Sequence, residues 1–183
     1  MRSAPRRFPT ESQLYTVALR ALMRRAHSIH EMKQYLKARA ENAEDAAAVL
    51  QRLKEQNYLD DARYARDYAR SHAQSRRQGK FRIARELRAR GVPDRHIEAA
   101  LEAIFTETDE KALVRSRIER KLRFARRLPA ADGSGQGQSP LDEKLRASIY
   151  RSLLRAGFSA DTIRTELRSA CTTENSESEV EGE

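Results

Sequence analysis

Two adjacent carboxylates, Asp60 and Asp61, lead the stretch YLDDARYARDYARS at residues 58–71, ahead of Arg63, Arg66 and Arg70. Paired acids can hold a divalent cation or divide acid and base roles, provided further Asp, Glu or His converge on them. The chain offers no DxD, ExxH or HxH pattern to supply those groups. The alternative is the start of a helix, with Asp60 as N-cap and Asp61 in the first turn, where carboxylates accept orphan amide protons and meet the positive dipole end. Helix initiation is the reading the missing ligand set favours. His27 and His30 straddle a helix boundary at Ser28, and His72 and His96 stand alone. Neither a glycine-rich phosphate loop, a nucleophile elbow nor a Cys-His pair is present. The expectation is a non-enzyme without catalytic residue, metal site or cofactor.

Arginine is the richer chemistry. One basic stripe runs through Arg70, Arg76, Arg77, Lys80, Arg82, Arg85, Arg88 and Arg90, brackets Gly79, and is opposed only by Glu86. A second holds Arg115, Arg117, Arg120, Lys121, Arg123, Arg126 and Arg127, on a helix whose apolar side is Val114, Ile118, Leu122 and Ala125. Most charge runs are solvated faces laced with i,i+4 acid partners. These two nearly lack such acids, so they repel themselves until a polyanion or acidic surface is met. Arg70, Arg77, Arg82, Arg85, Arg120, Arg123 and Arg127 are the candidate contact residues. Tyr64 and Tyr68 fall on the apolar side of their helix and read as core rather than as base-stacking platforms.

Composition bounds what can present these stripes. In 183 residues, 39% are hydrophobic and 34% charged, so apolar side chains serve narrow stripes and leave little for a thick core. The formal charge of +9 favours polyanionic partners. Setting aside Glu174, Glu177, Glu179, Glu181 and Glu183 leaves 36 basic against 22 acidic residues, a body of +14 with an acidic tail. Cys171 is the sole cysteine, which fits a reducing compartment. With neither an apolar signal region nor a run long enough to cross a bilayer, a soluble cytoplasmic protein is expected.

The elements are helical throughout, from residue 11 to about 172. A first helix spaces Leu14, Val17, Ala18 and Leu22 on one face; Ser28 with Glu31 forms a capping box for a second, lined by Met32, Tyr35 and Leu36. Asn42 caps a third, with Ala46, Val49, Leu50 and Leu53 inside. The unit recurs: IARELRARGVPDRHIEAAL aligns without a gap on IYRSLLRAGFSADTIRTEL, matching Ile83 with Ile149, Leu87 with Leu153, Gly91 with Gly157 and Ile97 with Ile163. The offset is 66 residues, and a weaker register relates the first unit to the second at 51, setting Ala40 where the others have the turn glycine. These copies predict an all-α, elongated curved array of three tandem three-helix repeats at residues 11–57, 58–107 and 108–172. Residues 1–10 read as a disordered basic start, 128–140 as a flexible insertion and 173–183 as a disordered acidic tail.

NYLDDARYARDYARS, then RRQGKFRIARELRARGV and IEAAL, resembles the central motif of the RecX regulatory proteins, bacterial modulators of the RecA recombinase. ALRALMRRAHSIHEMKQYLKARA is similar to that family's first unit, and the segment 149–167 to its last. The resemblance implies a monomer of tandem three-helix repeats lying in the groove of a RecA filament on DNA. It would thereby limit filament growth, ATP hydrolysis, strand exchange and co-protease activity. Read from charge alone, the rival is a stand-alone, sequence-nonspecific nucleic-acid-binding repeat protein.

Overall fold

The computed structural model describes residues 7, 8, 10–107, 109–127 and 143–180, with side chains throughout except at 107, 126, 127 and 171–180. The expected insertion at 128–140, most of the N-terminal start and the side chains of the acidic tail lie outside the described residues. Nine helices are present among those described: α1 Glu11–Arg24, α2 Ile29–Lys37, α3 Ala43–Glu55, α4 Asp61–Gln74, α5 Lys80–Ala89, α6 Asp94–Glu107, α7 Glu110–Arg127, α8 Glu143–Arg155 and α9 Ala160–Val180. The last runs past residue 172, where the helix signals of the sequence stop. Strands are absent among the described residues, and Phe8 makes one isolated bridge with Ala40. The chain divides into two compact units, one of residues 1–71 and 84–104, the other of 72–83 and 105–183.

In the first unit α1, α2 and α3 close on Leu14, Ala18, Met32, Leu36, Val49 and Leu53, all fully buried. Their spacing is the i, i+4 stripe of an amphipathic helix, so each short helix contributes only a pair or trio of side chains. Local caps set the ends. Thr10 accepts from Gln13 N–H, Asn42 from Asp45 N–H, and Ser28 and Glu31 form the complete capping box. At Ala40 no left-handed residue is used; the turn closes with Arg39 and Ala40 N–H both donating to the Leu36 carbonyl. Gly91 by contrast has φ +71°, and Val92 N–H reaches back to the Leu87 carbonyl, the helix stop that its place in the repeat predicts.

In the second unit Val114, Ile118 and Leu122 of α7 meet Ile149 and Leu153 of α8 and Ile163 and Leu167 of α9. Glu166, 4% exposed, accepts from Arg115 Nε at 3.0 Å and ties α9 to α7. Gly157 repeats the Gly91 turn, with φ +88° and Phe158 N–H donating to the Leu153 carbonyl.

The repeat offsets of 51 and 66 residues also relate two joints. In the first unit Ser28, which precedes α2, donates its hydroxyl to the Arg90 carbonyl at 2.6 Å. In the second, Gly79 precedes α5 and its N–H donates to the Ala156 carbonyl at 2.9 Å. Gly79 holds the place of Ser28, and Ala156 that of Arg90. Each time, the residue before a helix docks on the carbonyl before a turn glycine. Gly79 has no room for a Cβ, which would meet the Gly157 carbonyl.

A candidate polyanion interface

Asp60 and Asp61 do different work from one another. Asp60 Oδ1 accepts from Ala62 and Arg63 N–H at 2.8 and 3.1 Å, closing the first turn of α4. Those bonds, that from Arg63 foremost, hold its carboxyl below the usual range. Asp61, 7% exposed, instead accepts from Ile29 N–H at 2.9 Å, at the start of α2. Asp61 stands in the first turn of its own helix, as its spacing predicts, but its carboxylate serves another helix. Both line a cleft of about 590 Å³ with His30, Lys33, Lys54 and His96. No cluster of three or more His, Cys, Asp or Glu suited to a metal occurs among the described residues.

Tyr64 and Tyr68 lie with ring centroids 6.0 Å apart, both half-buried rather than sealed in the core. Tyr68 donates to Glu86 Oε2 at 2.6 Å, and burial with that bond pushes its hydroxyl up to about 12. Arg90 turns to the same place, its guanidinium 4.7 Å from the Tyr68 centroid and Nη1 donating to the Glu86 carbonyl. Glu86, the acid opposing the first stripe, is therefore held by a tyrosine, and Arg90 leaves the outward face.

The seven arginine candidates divide between the units. Arg70 and Arg85 belong to the first and are exposed. Arg77, Arg82, Arg120, Arg123 and Arg127 belong to the second, and the side chain of Arg127 lies outside the described residues. Among described residues, Arg70, Arg77, Arg85, Arg120 and Arg123 make no ion pair.

In the second unit three separate segments converge on Arg117, a member of the second stripe outside the seven candidates. Burial, followed by the positive charges of Arg120, Arg82 and Arg77, pulls its guanidinium below the ordinary arginine value. Its Nη2 donates to the Arg76 carbonyl at 3.3 Å, its charge centre lies 5.8 Å from the Phe158 centroid, and its Nε is buried without a partner. The joint described above sets this up. Arg82 lies against Gly157, where a Cβ would strike the Arg82 backbone, so α5 begins hard against the turn before α9. Arg77 takes the left-handed conformation, φ 50°, where Gln78 N–H returns to the His72 carbonyl. A non-glycine residue there costs roughly 1–2 kcal/mol. Strain of this kind gathers at functional positions. Sequence spacing identifies Arg120 and Arg123 as outward; that Arg117 leans into the Arg77 and Arg82 neighbourhood depends on the fold.

Four guanidinium groups within electrostatic reach, one of them half-desolvated, have the charge density that an anion with several closely spaced charges would require. A row of phosphates or a run of carboxylates meets that requirement.

The fold and this site define an all-α helical-repeat protein with a basic face. Models of the first and the second three-helix domain of RecX match residues 15–53 and 60–101. The regulatory protein RecX of Halorhodospira halophila is 37% identical over 147 residues, covering 80% of this chain and 81% of that protein. That of Chlorobaculum tepidum is 34% identical with the same coverage of each. The crystal structure of RecX from Lactobacillus salivarius superposes with TM-score 0.69 at 22% identity, covering 87% of this chain and 95% of that one. The chain belongs to the RecX family of regulatory proteins. No described helix is long and apolar enough to cross a membrane.

Proposed function

We propose that this chain regulates the RecA recombinase by binding its filament on DNA, mainly to inhibit. Filament growth, ATP hydrolysis, strand exchange and co-protease activity are the outputs it limits. It acts as a cytoplasmic monomer, with residues 11–57, 58–107 and 108–172 as the three repeats. Membership of the RecX family carries the reading. The cluster of Arg77, Arg82, Arg117 and Arg120 supplies the chemistry, since closely spaced guanidinium groups suit DNA phosphates or acidic recombinase loops. A repeat array offers a long surface for such contacts.

The test is recombinase ATPase on single-stranded DNA with the wild type and with Arg120, Arg123 and Arg127 replaced by Glu. Inhibition by wild type well below one chain per recombinase subunit, lost in the variant with helicity unchanged, is the expected result. Unaltered inhibition by the variant would sink the assignment of this face. The second reading, a stand-alone nucleic-acid-binding protein, is favoured by the same arginine cluster. It predicts tight binding to bare DNA with no effect on recombinase, and a salt slope that falls by roughly 0.7 per arginine removed.

A further inference from the structure

We propose that the arginine cluster of the second unit takes an unpaired nucleic-acid strand, with Phe81 and Phe124 as the platforms on which its bases stack. The inference rests on reading that cluster as a DNA contact and adds the type of strand it selects.

Phe81 and Phe124 are 58% and 66% exposed, while the core of the same unit buries Phe158 to 2%. A ring left in water gives up the free energy its burial would contribute, so two of them on the helices that carry one charge cluster offer apolar surface to a partner. On α7, Arg117, Arg120 and Phe124 fall within about 60° of one another at ~100° per residue. Phe124 thus continues the arginine row by one helical turn. Phe81 directly precedes Arg82, its N–H is fixed on the Gly157 carbonyl at 3.1 Å, and Lys80 Nζ lies 5.4 Å from its ring centroid. Each ring is thus carried by a helix that also positions a guanidinium of the cluster.

The two features together discriminate strand types. A duplex presents phosphates to the guanidinium groups, but its base faces are already stacked on one another and cannot reach a phenyl ring. A single strand presents both, and a phenyl platform accepts any base because every base has a π-face. The half-exposed Arg117 side chain can meet a phosphate lying between two stacked bases with the rest of its guanidinium.

The chain contains no Trp, so Phe124→Trp places a single indole reporter at the site. Binding is measured by fluorescence anisotropy to a short labelled single strand, to the same strand made abasic, and to its duplex. The proteins compared are wild type, F81A, F124A, F124W and the Arg117→Glu/Arg120→Glu pair, with circular dichroism as the folding control. Each Phe→Ala change is expected to weaken single-strand binding about tenfold and to leave abasic and duplex binding unchanged. F124W emission is expected to be quenched by the single strand and not by the duplex. Equal losses on all three nucleic acids, or unquenched emission, overturn the proposal. Phe variants that bind DNA normally but lose recombinase inhibition also overturn it, assigning the rings to a protein partner. If the charge-reversal pair binds every nucleic acid as wild type does, the reading of the cluster itself fails. Sensitivity to charge reversal without sensitivity to Phe81 and Phe124 removes only the stacking.

Discussion

The carboxylate of Asp61 accepts the amide proton of Ile29 at 2.9 Å, so an acid at the head of one helix caps another helix 32 residues earlier in the chain. Asp60 caps its own helix, and Asp109 repeats that pattern with Lys111 and Ala112 N–H at 2.9 and 3.1 Å. Counted from the two caps, Glu110 is the counterpart of Asp61, and the 51-residue offset makes Lys80 that of Ile29.

Asp61→Ala should therefore destabilise the protein by about 2 kcal/mol, because it strands a part-buried amide as well as removing a cap. Asp60→Ala should cost about 1 kcal/mol, the usual value of an exposed N-cap. The Asp60 contribution has an acid limit. Its carboxyl titrates lower when folded, so the stabilisation is present above the unfolded pKa and lost as pH falls through the folded one. Urea unfolding of both variants at neutral and acidic pH checks the order and the trend. An Asp60 variant costing more than the Asp61 variant at neutral pH contradicts this division of roles.

Glu110 has the opposite sign. Its Oε1 is buried without a hydrogen bond, and burial raises its carboxyl above the ordinary range, with the charge of Lys80 acting against the shift. A carboxyl that holds its proton more tightly when folded stabilises the native state on acidification. That stability is lost as pH rises from the unfolded pKa through the raised folded one. Glu110→Gln should flatten that dependence and raise stability at pH 7 by about 1 kcal/mol. Thermal melts of wild type and variant across that window measure it, and a variant less stable than wild type at neutral pH runs against the prediction.

Arg77 sets stability against binding. Its left-handed backbone suits glycine, so Arg77→Gly should gain about 1 kcal/mol in urea unfolding. The same change removes one charge from around Arg117 and should weaken DNA binding. A stabilised variant with unchanged affinity would remove Arg77 from the interface while leaving the backbone argument intact.

The sequence by itself determined whatever is settled within one helical turn. Ser28 and Glu31, Asn42 and Asp45, and Asp60 with Arg63 are caps made across three residues, and Gly91 and Gly157 stop helices wherever the chain must turn left-handed. It also gave the repeat, because buried positions such as Ile83 and Ile149 recur with the turn that separates them from Ile97 and Ile163. Tertiary structure alone decided the rest. Ser28 reaches the Arg90 carbonyl 62 residues away, Asp61 serves Ile29, and Arg117 leans toward Arg77 and Arg82 while Arg90 folds back on Tyr68. A helix wheel sorts side chains into inward and outward but does not say which neighbouring helix meets the flank. Arg117 and Phe124 lie on such a flank, and docking of Gly79 on the Gly157 turn determines what stands beside it. A local cap needs only its own backbone, whereas a charge cluster drawn from three segments exists only after those segments have packed.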